Sequence, residues 1–122
     1  MATLADIRRT ALKLPDVAEV AVYGGPMFKT GKKTFICFWG KPKRWMFKLP
    51  HARQDILFEV RPDVFQKYQA GAMIWSYVEI AALTRAECAE LVVEAWKMVA
   101  PKKVVDAIEA RQSAARKRST SS

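Results

Sequence analysis

Between Pro26 and Arg53 the chain has no acidic residue, and over its whole length it has only two cysteines and one histidine. Each shortage excludes something. Cys37 falls in an apolar, strand-like run and Cys88 on an apolar helix face, so both are expected as buried free thiols and not as a disulfide framework. His51 has no cysteine beside it at ligand spacing and no evident orienting partner, which argues against a structural metal site and against a general base. Carboxylates do not cluster: Asp55 and Glu59 share a helix face, and Glu87, Glu90 and Glu94 read as a solvated one. A hard cation needs several such oxygens together. No glycine-rich phosphate loop or nucleophile motif occurs. No apolar run approaches the ~18 residues of a membrane span. The start, Met-Ala-Thr-Leu-Ala-Asp, lacks the basic flank of a secretory leader, so the expected location is cytoplasmic. The expectation is a binding protein, not an enzyme, with no cofactor, no metal and no membrane partner.

What is present is positive charge. The 122 residues carry 21 Lys and Arg against 12 Asp and Glu, a net charge of +9, with 51% hydrophobic residues. That length and apolar content suit one domain with a real core. A basic balance favours nucleic acid, anionic lipid or an acidic protein as partner. The acid-free stretch holds Lys29, Lys32, Lys33, Lys41, Lys43, Arg44, Lys48 and Arg53, interleaved with Phe28, Phe35, Phe38, Trp39, Trp45 and Phe47. Cations attract a polyanion, and aromatic rings offer its bases a stacking surface.

The pattern along the chain reads helix, strands, helix. Thr3 and Asp6 resemble a capping arrangement, and Leu4, Ile7, Ala11 and Leu14 recur at helical spacing until Pro15. Strands are expected over Val17–Tyr23, Met27–Lys29, Thr34–Trp39 and Trp45–Leu49. Turns separate them at Gly24–Pro26, Thr30–Lys33 and Gly40–Lys43. In the fourth strand, alternation puts Trp45, Phe47 and Leu49 on one face and Met46 and Lys48 on the other. A short helix over His51–Val60 is followed by an edge strand at Val64–Tyr68 and a last strand at Met73–Ile80. Thr84 to Glu87 fits a capping box, and Cys88, Leu91, Val92, Ala95, Trp96 and Val99 form the apolar stripe of a long helix. Lys102 to about Ala115 reads as helical, and Arg116–Arg118 with the final serines as disordered. Short turns favour antiparallel pairing, so the expected fold is α+β: an antiparallel sheet packed on one face by the N- and C-terminal helices.

Three functions suit this pattern. The first is binding of nucleic acid, DNA over RNA, with low sequence preference. The turn cations Lys29, Lys32, Lys33, Lys41, Lys43 and Arg44 would contact phosphates from two hairpin tips converging on one side. Lys48 and Arg53 would add charge, and Trp39 or Trp45 would stack. The second is a protein-interaction or regulatory domain using an aromatic sheet face. The third is a pocket near Lys48 and Trp75 for a small anionic metabolite. Trp75 and Trp96 also fit the core, as do Trp39 and Trp45.

The segments Leu14-Pro15-Asp16-Val17, Tyr23-Gly24 with Pro26 and Phe28, Gly31-Lys32 with Phe35, and Met46-Phe47-Lys48-Leu49 occur in an order that resembles the MmcQ/YjbR family. Pro62-Asp63-Val64-Phe65, the strand around Trp75-Ser76-Tyr77-Val78, and Glu94-Ala95-Trp96-Lys97 leading to Val99-Ala100-Pro101-Lys102-Lys103 continue it. The resemblance spans about residues 4 to 105. It implies a domain over residues 1–103 followed by a helical extension and basic tail over 104–122. It also implies a frataxin-like sandwich, also described as a double-wing fold, and a DNA-binding role with no catalytic residue. Frataxins bind iron on an acidic ridge. Here the first helix offers only Asp6 beside Arg8 and Arg9, so iron delivery is not expected. Two departures mark this chain: Ala72-Met73-Ile74 replaces the usual glycine-aromatic-proline before the tryptophan, and the turn from Lys41 to Arg44 is unusually basic.

Overall fold

The computed structural model describes residues 2–22, 25–39 and 44–120. The chain folds as α1 (Leu4–Ala11), β1 (Val17–Val22), β2 (Gly25–Thr30), β3 (Lys33–Trp39), β4 (Arg44–Phe47), α2 (His51–Val60), β5 (Phe65–Ala70), β6 (Met73–Val78), a 3-10 turn over Ile80–Ala82, α3 (Arg85–Lys97) and α4 (Lys102–Thr120). The six strands form one antiparallel sheet in the order β1-β2-β3-β4-β6-β5.

This strand order explains α2. Because β4 and β5 each pair antiparallel with β6, they run parallel to one another. A tight turn cannot join parallel strands, so the link must cross the sheet, and α2 is that crossover. One buried pair fastens it: the Ser76 hydroxyl on β6 donates to Gln54 Oε1 on α2 at 2.7 Å. Both side chains are fully buried, so each satisfies the other's polar group.

The core lies between the sheet and the helices. Phe28, Ile36, Trp45, Phe47, Phe65 and Val78 come from the strands. Ile7 and Ala11 of α1 and Cys88, Leu91, Val92, Ala95 and Trp96 of α3 meet them. A bulge between Phe28 and Lys29 interrupts the β2–β3 register, and both Phe35 and Ile36 on β3 are fully buried in this cluster. Val104, Val105 and Ile108 of α4 pack against it from outside.

Both expected caps form contacts. The Thr3 N–H donates to Asp6 Oδ2 at 2.9 Å. At α3 the Thr84 hydroxyl accepts from the Glu87 N–H at 3.1 Å, while the Thr84 N–H donates to Glu87 Oε1 at 3.0 Å, closing a capping box. Three boundaries differ from expectation. β2 starts at Gly25, inside the expected turn, because Pro26 sits opposite Ala21 in the β1–β2 ladder. β6 ends at Val78, and Ile80 begins a 3-10 turn. α4 continues through Arg116–Arg118 to Thr120 instead of giving way to a disordered tail; Ala, Arg and Lys there are good helix formers.

Candidate nucleic-acid interface

Strand alternation separates the two faces of the sheet. One row of partners, Phe28–Ile36–Phe47–Ser76, lies under the helices. The adjacent row, Met27–Cys37–Met46–Tyr77–Gln66, lies on the opposite face. There Cys37, Met46 and Trp75 form a second, smaller buried cluster, with Met27, Tyr68 and Tyr77 packed against it. That cluster consists of strand residues alone, so this face is the open one.

The open face carries several cations, and among the described residues none of them is ion-paired. Lys29, next after the covered Phe28, alternates onto this face opposite Thr34, and Arg44 and Lys48 flank Met46 on it. Lys29, Arg44 and Lys48 are half-buried, whereas Lys32 and Lys33 are exposed at the β2–β3 tip. Gly31 has a φ of +60° at that tip, the left-handed conformation that suits glycine in a two-residue turn. The Arg44 guanidinium lies 4.3 Å from the centre of the Tyr77 ring and donates to Gln66 Oε1. Both partners are neutral, so they orient the positive charge without cancelling it. Tyr68 meets Tyr77 with ring centres 5.5 Å apart at 73°.

Among the described residues, the ion pairs lie on the helix side. Arg8 binds Glu19 at 2.8 Å, Asp6 takes Arg9 at 3.4 Å and Arg85 at 3.6 Å, Arg61 binds Glu87 at 2.6 Å, and Lys97 binds Glu109 at 3.0 Å. These contacts hold the carboxyls of Glu19, Glu87 and Asp6 below their ordinary range. The Arg8 hydrogen bond is the main cause at Glu19, and the backbone N–H groups of Thr84 and Thr3 are the main causes at Glu87 and Asp6. Among the described residues, no ion pair engages Lys29, Lys32, Lys33, Arg44 or Lys48.

Several sequence expectations need correcting. Trp45 is not a stacking platform. It is buried on the helix side, its ring centre 5.1 Å from that of Phe38, because alternation puts it with Phe47 in the core. Arg53 belongs to α2 on the covered face, where Glu94 neutralises it at 3.3 Å. Of the two basic turns expected to converge, only the β2–β3 one lies within the described residues. Lys33 opens β3 and Trp39 closes it, beside Arg44, so Lys33 and Arg44 stand at opposite ends of that strand. Seven residues at ~3.3 Å each place those ends roughly 20 Å apart. Lys41 and Lys43 lie outside the described residues, as does the side chain of Trp39. Sequence reasoning missed Gln66, Tyr68 and Tyr77, although the alternation of Gln66 with Tyr68 and of Trp75 with Tyr77 carries the signal.

Two further groups bear on the alternative functions. A concavity of about 350 Å³ is lined by Lys48, Leu49, His51, Ala72, Ile74 and Met98. Lys48 therefore does line a pocket, but Trp75 is not part of its wall. Among the described residues the large exposed apolar side chains are Leu12, Val20, Ile56, Val60 and Met98, and none of these is an aromatic ring of the open face. The indole N–H of Trp75 is buried without a partner; Trp96 in the main core shares that condition, so it does not mark a ligand. Burial pushes the Cys88 thiol up to about 11, which suits an inert core cysteine. Among the described residues no group of three His, Cys, Asp or Glu side chains comes together as a metal site, and no helix is long and apolar enough to cross a membrane.

The YjbR family model matches residues 12–98. The chain belongs to the YjbR family. The matched span contains the whole sheet with α2 and α3, and hence the entire open face. Among solved structures, Deinococcus radiodurans protein DR2400, which carries the domain DUF419, is similar in fold. The TM-score is 0.70 at 20% identity, over 84% of this chain and 82% of that one. No curated protein matches the chain. The YjbR domain here is thus an α+β sheet with one helix-covered face and one open face.

Proposed function

We propose that this YjbR protein is a non-catalytic DNA-binding domain of low sequence specificity, and that the nucleic acid lies across the open face of the sheet. One observation carries the reading. Among the described residues, Lys29, Lys32, Lys33, Arg44 and Lys48 have no carboxylate partner, while the ion pairs engage residues of the helices and of the sheet face they cover. A solvated surface with no partner to attract normally mixes both signs. Segregation of this kind leaves a positive field on one side, which suits a polyanion. The cations stand at the β2–β3 tip and, across the face, at Arg44, and their contacts would be to phosphates, which position a duplex without reading its sequence.

Fluorescence anisotropy with a labelled duplex tests this. Neutralising about four phosphates should weaken binding roughly a hundredfold between ~50 and ~200 mM salt. The triple variant Lys29→Ala, Lys32→Ala, Lys33→Ala should bind more weakly to every duplex sequence and show a shallower salt slope. Lys102→Ala with Lys103→Ala, exposed cations of α4, should leave that slope nearly unchanged. Equal losses from both variants would mean that net charge alone governs binding and that the open face has no special part.

A further inference from the structure

We infer that the nucleic acid best suited to this face is single-stranded, with unpaired bases stacking on the Arg44–Tyr77 pair and on Tyr68. The inference rests on the nucleic-acid reading above and specifies its ligand class. The Arg44 guanidinium already lies over Tyr77 at 4.3 Å, steadied by Gln66. Its outer plane is therefore preset, and base planes stack on arginine planes as they do on aromatic rings. Arginine has five N–H donors, so those not directed at Gln66 remain for phosphate or base edges. Tyr68 stands at 73° to Tyr77 and gives a second ring close by. Beneath them Cys37, Met46 and Trp75 are buried, so the platform rests on packed side chains and cannot sink.

Charge placement fits a strand laid along this face. Lys29 pairs with Thr34 and Arg44 with Trp39, five residues further along β3. That separation is roughly 17 Å along the strand, with only uncharged side chains of the middle row between. A duplex uses such a surface poorly. Its bases are stacked on each other and show only their edges, and reading those edges requires a helix or ribbon that enters a groove. The open face consists of strand residues. An unpaired strand exposes its base planes, and every base has one, so stacking here carries little sequence preference.

The test compares oligo-dT of about 12 nucleotides, within the ~4–16 typical of such grooves, with a duplex of equal length at one low salt concentration. Thermal unfolding of each variant checks that it is folded. The expected result is tighter binding of oligo-dT, with about a tenfold loss on Tyr68→Ala and little loss on Tyr68→Phe, which keeps the ring. Arg44→Lys keeps the charge but removes the plane, so it should weaken oligo-dT binding several times more than duplex binding. Duplex binding as tight as that of oligo-dT, or oligo-dT affinity indifferent to Tyr68→Ala and Arg44→Lys, overturns the single-strand inference while the broader reading stands. Failure to bind either probe at low salt overturns both.

Discussion

Gly25 shows how tightly single positions are set in this sheet. A Cβ built there would come 2.4 Å from a ring carbon of Phe38 and 2.8 Å from the Phe38 carbonyl oxygen. The second of these atoms is backbone and cannot swing away, so a side chain must push β2 off β3. Phe38 in turn holds Trp45 at 5.1 Å, so the disturbance reaches the core under the helices. Gly25→Ala is therefore expected to destabilise the fold by about 1–3 kcal/mol, as overpacking does. Urea unfolding would show this as a lower midpoint at unchanged slope. Gly31→Ala puts its Cβ into open space but keeps a φ of +60°, so its cost is conformational and smaller.

At the scale of elements, acid should loosen α1 and α3 first. Asp6 and Glu87 each accept from a backbone N–H of their own cap and also meet arginines, and both carboxyls titrate below the ordinary values of 3.8 and 4.5. A group whose folded pKa is lowered stabilises fully above its unfolded value and ceases to as pH falls through the folded one. The urea midpoint is thus expected to hold steady from pH 7 to pH 5 and to fall below about pH 4. Asp6→Asn with Glu87→Gln should start lower at pH 7 and fall less steeply. A fall as steep in that variant as in the parent would assign acid sensitivity to other carboxylates.

Elements were also where the sequence was most legible. Thr84 and Glu87 marked the start of α3, Pro15 stopped the first helix region, and the apolar runs located the strands, because caps and periodicity are local properties. β2 was shortened because Gly25 and Pro26 carry turn chemistry, and only the ladder to β1 reveals that they pair. The pairing of β4 with β6 was hidden because it depends on α2 crossing the sheet, a contact between distant segments. The candidate site divided in the same way. Its cations were plain in the composition, but alternation fixes only that Trp45 and Met46 point apart, not which of them the helices cover. Arg53 looked free because its partner, Glu94, lies far along the chain.

Across the whole molecule, stability and binding belong to opposite sides of one sheet, and α4 can separate them. Val104, Val105 and Ile108 pack on the outside of the core, and Glu109 pairs with Lys97 of α3 at 3.0 Å. A chain ending at Lys103 loses those three half-buried side chains. Full burial of a Val or Ile is worth about 1.5–3 kcal/mol, so the cut should cost about 2–4 kcal/mol in all. It also removes Arg111, Arg116, Lys117 and Arg118 with Asp106 and Glu109, a small net loss of positive charge. At physiological salt the Debye length is about 8 Å, and α4 packs by Val104, Val105 and Ile108 against the core under the helices, so it is not expected to share in binding at the open face. The truncated chain is therefore expected to unfold at lower urea yet keep the salt slope of the full chain, with affinity within about threefold at ~0.15 M salt. A slope reduced by two or more units in the truncated chain would place phosphate contacts on α4 and move the interface off the sheet.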